Sequence, residues 1–342
     1  MRVLTVNAGS SSLKLAFVED GARTADQTVS ARGEELDTSA VARFAARGFD
    51  CSSHRIVHGG KRFASATLVD GEAREALGRL VDLAPLHTAL ALKAMDALRE
   101  LDSESPAVAC FDTSFHATLP PAARTYALPW EWIERYDLRR YGFHGLNHGY
   151  VARRAATMLG RPLGELRIVS CHLGAGASLC AIAGGRSVDT TMGFTPVDGL
   201  VMATRSGAVD PGLLVWLQRH GAVTLDDLDN ALEHRSGLAG LSGLSGDMKE
   251  LLAAVDSGDE RARLAYDVYI HRLRSEIAAM VAGAGGIDAL VFTGGVGEHS
   301  ARVRDDARRR LPLIERAQVL VIEAREDLEL ARQATELLSA SK

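Results

Sequence analysis

"VLTVNAGSSSLKLAF", residues 3–17, decides how the chain is read. An apolar run ends at Asn7, a turn of Gly9 and three serines leads to Lys14, and the chain becomes apolar again. Apolar runs on both sides of a small-residue turn predict a β-hairpin. A tight hairpin needs only one or two glycines or asparagines. This turn also carries hydroxyls, an amide and an ammonium, a surplus of donors that suits an anion. A second stretch, "RIVSCHLGAGASLCAI" at 167–182, repeats the order strand, polar residue, glycine-rich turn, strand. The echo reads either as two unrelated hairpins or as two similar domains, each opening with a turn that faces a shared cleft.

The 342 residues suit two domains or one large one, and 46% hydrophobic with 24% charged residues is a globular composition. A formal charge of -5 gives no basic field for nucleic acid, and 5% aromatics offer no stacking platform. The four cysteines, Cys51, Cys110, Cys171 and Cys180, form no CxxC pair and read as buried thiols of a reducing compartment. The first residues show no basic region with a small-residue cleavage site, and no apolar run is long enough for a bilayer. The expectation is a cytoplasmic protein with no nucleic-acid or membrane partner.

Strand-like runs at 3–6, 107–110, 167–171 and 289–292 alternate with amphipathic stretches at 85–101, 148–159, 259–282 and 327–338. That alternation predicts an α/β protein with mixed sheets. In "VFTGGVGEHS", 291–300, a strand runs into glycines, and the pattern predicts a helix from about residue 297. Such a turn lets a ligand approach the backbone. No GxxxxGK[ST] occurs in the chain, so it is not a Walker loop.

A few polar residues sit where elements end, the places where loops converge on clefts. They are Arg55 in "SHRIVHGG", His87 in "APLHTAL", Asp112 in "ACFDTSFHATLP", His144 in "RRYGFHGLNHGYV", Arg205 in "FTPVDGLVMATRSGAVDPG" and Asp247 in "LSGLSGDMKEL". His144 and His148 have the HxxxH spacing of a helical metal pair but lack the glutamate of HExxH. Two arginines can grip a carboxylate and a phosphoryl group with paired bonds, and phosphoryl transfer needs positioning and charge neutralisation above all.

In this order, "NAGSSSLK", "RIVHGG", "APLH", "FDTSFH", "YGFHG", "CHLGAGAS", "MGFTPVDGL", "TRSGAVDPG", "SGLSGD" and "FTGGVGEHS" resemble the acetate kinase family. That family lies in the superfamily of sugar kinases, actin and heat-shock ATPases. The resemblance implies two ribonuclease-H-like domains around a nucleotide cleft. They would be 1–117 plus 328–342, and 118–327 with nucleotide binding and dimerisation. It implies reversible transfer of the ATP γ-phosphoryl group to a short carboxylic acid, with Mg²⁺, by a homodimer. Ser10, Ser12 and Lys14 would form one phosphate clamp, and His172, Leu173, Gly174, Ala175 and Gly176 the other. Gly295, Val296 and His299, with Asp247, Met248 and Lys249, would hold the adenosine. Asn7 and Glu326 would hold the metal, with Asp327 the alternative if the shortened loop before it shifts the alignment.

By the same resemblance Arg55 holds the acid, and His144 and Arg205 stabilise the transition state. Val57, Leu86, Phe143 and Pro196 would close round the alkyl tail, and Val57 resembles the acetate enzymes. His87 reads equally as substrate-facing or as a hydrogen bonder at a helix start. Asp112 matches the family's active-site acid or base. A carboxylic acid arrives already ionised and needs no base, so its chemistry argues instead that Asp112 orients Arg55 or the water ligands of the metal. The chain departs from the family pattern at Ala175 and His299, where asparagine is usual, at Met248 and Lys249, and in being shorter. Those departures keep open a propionate or other acid, another phosphoryl donor, or a non-catalytic nucleotide or acyl-phosphate sensor.

Overall fold

A computed structural model describes the chain except at residues 10–11, 33–34, 82–84, 222 and 341–342, and leaves the side chains of 32, 85 and 86 undescribed. The chain forms two compact units. Unit 1 comprises Met1–Ala117, Phe143–Tyr150 and Arg325–Lys342, and unit 2 comprises Thr118–Gly142 and Val151–Ala324. The sequence reading assigned the whole of 118–327 to the second domain. The structure divides it differently: Phe143–Tyr150 packs in unit 1, where the Gly145 amide donates to the Asp112 carbonyl at 2.8 Å.

The strands of unit 1 are β1 (Arg2–Ala8), β2 (Ser12–Glu19), β3 (Ala22–Arg32), β4 (Glu35–Leu36), β5 (Cys51–Ile56), β6 (Thr67–Leu68) and β7 (Ala107–Phe111). Those of unit 2 are β8 (Arg167–Leu173), β9 (Ala177–Ala183), β10 (Arg186–Thr190), β11 (Ala289–Thr293) and β12 (Gln318–Val321). The orders are β4-β3-β2-β1-β5-β7-β6 and β10-β9-β8-β11-β12. Each sheet contains an antiparallel three-strand meander followed by two parallel strands. The hairpin echo is therefore the start of two copies of one topology, the ribonuclease-H-like order. The parallel neighbours need crossovers, which helices supply: Thr38–Ala45 between β1 and β5, and Gly71–Gly78 with Pro85–Leu101 between β5 and β7.

Strand parity places the chemistry of unit 1. Leu4, Val6, Ile56, Ala109 and Phe111 point to one face, where they pack with Phe44, Leu77, Leu90 and Leu98 of the crossover helices. Val3, Val18, Cys51, Val108 and Cys110 point to the other, against Leu330, Ala331 and Ala334 of the helix Glu326–Ala340 and against Leu146. Successive side chains alternate faces, so Asn7, Ser12, Lys14, Arg55 and Asp112 fall on this second side. All lie at or near strand ends beside the β1–β2 turn, and Glu326 opens the helix that covers that face.

The helix expected from residue 297 begins earlier, at Gly294, whose φ of 76 sets it over the Leu173 carbonyl, where a Cβ has no room. Gly184 and Gly185 form the β9–β10 turn with φ 58 and 78. All four cysteines are buried free thiols. Among the described residues, no helix is long and apolar enough to cross a membrane.

His54 and His116 are two of the buried histidines of unit 1. Burial drives His54 down to about 3, and burial drives His116 down to about 4 although the Phe143 carbonyl opposes the fall. Both are neutral when folded and titrate normally when unfolded. Stability is thus full above the ordinary histidine pKa and falls as pH drops towards these values. In urea titrations between pH 6.5 and 4, His116→Asn should flatten the pH dependence by about one proton, roughly 1.4 kcal/mol per pH unit. Equal slopes for variant and parent would contradict this.

Candidate active site

Unit 1 gathers three charged groups and one amide. Arg55 donates from Nε to both Asp112 oxygens at 3.0 and 3.2 Å and from Nη2 to Oδ2 at 2.6 Å. Its Nη1 donates to Asn7 Oδ1 at 3.0 Å and lies 3.5 Å from Glu326 Oε2. Asn7 Nδ2 donates to the same Glu326 oxygen at 2.6 Å. The side chains of Arg55, Asp112 and Glu326 are only 14%, 1% and 13% exposed. Burial pulls the Arg55 guanidinium down, but the Asp112 and Glu326 charges outweigh it and its pKa goes up. Burial raises the Asp112 carboxyl, Arg55 opposes the rise, and Glu326 adds to it. Asp327, the alternative to Glu326, is held instead by Arg325 at 2.9 Å.

Asp112 also anchors the "YGFHG" segment. Its carboxylate accepts the His144 backbone N–H, and its carbonyl accepts the Gly145 N–H. His144 is thereby held at φ 56, a left-handed conformation uncommon for a side-chain-bearing residue. His116 Nε2 meets the Phe143 carbonyl at 3.0 Å, and the His58 ring packs edge-on against Phe143. Asp112 thus bonds both the Arg55 guanidinium and the His144 backbone.

The donor set of this cluster fits a hard divalent cation. Asn7 and Glu326 offer neighbouring oxygens, and Asp112, Glu326 and Arg55 together carry one net negative charge. Mg²⁺ takes one or two protein oxygens and keeps several waters, so two donors suffice.

The residues expected to bind the nucleotide in unit 2 lie on turns held mostly by backbone contacts. The β8–β9 turn is closed by the Gly174 amide on the Gly176 carbonyl at 3.0 Å, and Ala175 is exposed at its tip. Thr293 of β11 lies beside His172 of β8, so the helix Gly294–His299 starts next to this turn. Gly295 and His299 are exposed, and Val296 is half-buried. The Ala203 amide donates to the Ala175 carbonyl at 3.0 Å, which ties the Arg205 loop to the turn. Gly246 lies against the Ala203 carbonyl, where a Cβ would collide. Asp247 next to it caps the helix Met248–Asp256 by accepting the Lys249 and Glu250 amides; Met248 is buried and Lys249 exposed.

Val57 and Phe143 are buried in unit 1, while Pro196 is half-buried in unit 2. Ser12 is half-buried and Lys14 exposed. His87 is half-buried within the helix Pro85–Leu101, to which Leu86 also belongs. Ser10 lies outside the described residues, as does the Leu86 side chain.

Three residues of these networks were not assigned from sequence. His116 stood inside the quoted "FDTSFH". Glu298 stood in "VFTGGVGEHS", and its Oε1 accepts the Ala324 amide at 2.9 Å. Glu233, bonded to Arg205, lies in an ordinary amphipathic helix, and nothing in its local sequence marks it.

The profile of the acetokinase family matches residues 27–317. The acetate kinase of Nostoc sp. is 51% identical over 258 residues, 75% of this chain and 64% of that protein. The chain thus spans less than two thirds of that relative's length. The crystal structure of Porphyromonas gingivalis acetate kinase superposes with a TM-score of 0.91 at 32% identity, covering 98% of this chain and 99% of that one. A propionate kinase from Francisella tularensis superposes at 0.88 with 29% identity, covering 97% and 98%.

Gly145 allows no side chain, because a Cβ would overlap the Asp112 carbonyl and crowd Phe115 Cβ at 2.9 Å. Gly145→Ala should lower stability by about 1–3 kcal/mol. Gly164→Ala, which meets nothing within 4 Å, should stay within about 0.5 kcal/mol of the parent. Thermal melts of the two variants separate a tight contact from a general cost of losing glycine.

Proposed function

The chain belongs to the acetokinase family, and from that premise we propose that it transfers the γ-phosphoryl group of ATP reversibly to acetate, giving ADP and acetyl phosphate. The observation that carries the reading is the Asn7–Arg55–Asp112–Glu326 network. It presents a preorganised guanidinium beside two oxygen donors at the strand ends of unit 1.

Arg55 has five N–H donors, and its bonds to Asp112 and Asn7 leave two for a carboxylate. The acid arrives ionised, so no proton needs removing. A carboxylate oxygen forms the new bond to phosphorus, the bond to the ADP oxygen breaks, and the electron pair leaves with ADP. Asp112 keeps Arg55 and the His144 backbone in place. The His144 imidazole and the Arg205 guanidinium supply donors to the equatorial oxygens as charge spreads over them. Asn7 and Glu326 would hold Mg²⁺, which neutralises phosphate charge when bound. The β8–β9 turn would take the phosphates, and Gly295–His299 with Asp247–Lys249 the adenosine. Ser12 and Lys14, with Ser10, would complete the clamp in unit 1. Val57, Phe143, Pro196, Leu86 and His87 would enclose the acid's tail.

Unit 2 exposes Trp130, Trp132 and Tyr136 on one helix and Leu213 and Trp216 on another, which supports a homodimer through this unit. The four free thiols support a reducing, cytoplasmic compartment.

With Mg·ATP and hydroxylamine, acetate should yield more acyl hydroxamate than propionate or butyrate, since one methylene is worth about 1–3 kcal/mol of discrimination. A larger signal from propionate would move the substrate and keep the mechanism. No signal from any acid would sink the kinase reading in favour of a sensor. Asp112→Asn should lower kcat about a hundredfold while the pH profile keeps its shape. Loss of an acidic limb in that profile would instead identify Asp112 as the base.

A further inference from the structure

The loop bearing Arg205 is fixed at several backbone points within unit 2. Met202 N–H donates to the Arg205 carbonyl at 3.2 Å and Ala203 N–H to the Ala175 carbonyl at 3.0 Å. Ser206 N–H reaches the Leu232 carbonyl at 3.0 Å, and Thr204 Oγ1 reaches the Glu233 carbonyl at 3.0 Å. Ser236, Leu238 and Ala239 return amide bonds to the carbonyls of Thr204, Met202 and Ala203. What this frame leaves undetermined is the long Arg205 side chain, 25% exposed, whose rotamers would otherwise scatter the guanidinium.

One side chain removes that freedom. Glu233, at the end of the helix Leu225–His234, accepts Arg205 Nε through Oε2 at 2.8 Å and is itself 25% exposed. No other hydrogen bond holds the Arg205 side chain among the described residues, so the Nη1 and Nη2 fork remains available. A bond at Nε fixes the guanidinium plane while sparing the edge that can pair with two phosphoryl oxygens. The helix that carries Glu233 ends against the same loop and is started by the Thr224–Asp227 capping box, so carboxylate and arginine share one rigid frame.

We propose that Glu233 is a positioning residue for the phosphoryl transfer: it holds Arg205 by Nε so that the Nη fork meets the transferring phosphoryl group. The proposal rests on the reading of Arg205 as the arginine of the transition state. A partly exposed ion pair adds little to stability, so its effect belongs to kcat. No residue of that helix is buried, and substitution at 233 leaves the core untouched.

The test measures kcat and KM for Glu233→Gln, Glu233→Ala and Arg205→Ala and for the Glu233→Ala/Arg205→Ala double variant. Loss of a hydrogen bond to a charged group predicts a fall in kcat of about 10- to 100-fold for Glu233→Ala and a smaller one for Glu233→Gln, with KM for ATP within about twofold. In the Arg205→Ala background, Glu233→Ala should have no further effect. An unchanged kcat in Glu233→Ala, or a full additional loss in the double variant, overturns the proposal. A readout independent of activity is hydrogen exchange at Arg205 Nε, followed by NMR of ¹⁵N-labelled protein. Protection that disappears in Glu233→Ala supports the hold, and an unprotected proton in the parent overturns it. If the parent transfers no phosphoryl group to any acid, the kinase reading fails, and the Nε proton still decides whether Glu233 restrains Arg205.

Discussion

The fork between Arg55 and Asp112 is the interaction on which unit 1 turns. A carboxylate with 1% of its side chain exposed is tolerated only because a guanidinium meets it through two nitrogens. That pairing brings the ends of β5 and β7 to a fixed separation. Through Asn7 it reaches β1, through Glu326 the covering helix, and through two backbone amides the His144 segment. A buried ion pair of this kind contributes little net stability against an apolar substitute, whereas removing either partner strands a charge. Its value lies in geometry: five segments far apart in sequence are aligned to one planar group.

The two sheets share a strand order and differ in what they place at its end. Unit 1 loads the face beside its first hairpin with charged side chains. Unit 2 offers glycine turns in which backbone amides and carbonyls come to the surface, with Arg205 the charged residue tied to them. One topology thus carries two kinds of loop surface, one of charged side chains and one of exposed glycine-turn backbone.

The α/β class and the duplicated hairpin were legible because they rest on local signals: apolar alternation, glycine turns and helical periodicity. Residues within quoted motifs, such as Arg55, Asp112 and His144, were legible by type and by their place at element ends. Less accessible was what fixes each of them. That Asp112 spends its oxygens on Arg55 and the His144 amide depends on a strand crossover and a distant return of the chain. The transfer of Phe143–Tyr150 into unit 1 has the same origin, a contact that no window of sequence contains. Glu233 is the extreme case, since a glutamate on an exposed helix is ordinary until the fold sets Arg205 beside it. The start of the helix Gly294–His299 was misplaced for a smaller reason: the glycine pair read as a loop is taken into the first turn of the helix.

The buried cysteines give the molecule a set of internal reporters. Burial pushes the thiols of Cys51 up to about 11 and of Cys110 and Cys180 up to about 12, and that of Cys171 higher again. A buried thiol so far from its thiolate reacts mainly when the surrounding structure opens. Cys51 lies in the Arg55 strand and Cys110 in β7 beside it in unit 1, while Cys171 and Cys180 lie in β8 and β9 beside the glycine turn of unit 2. The rate at which each pair is alkylated under native conditions therefore measures the opening of its own unit, with no label to be engineered.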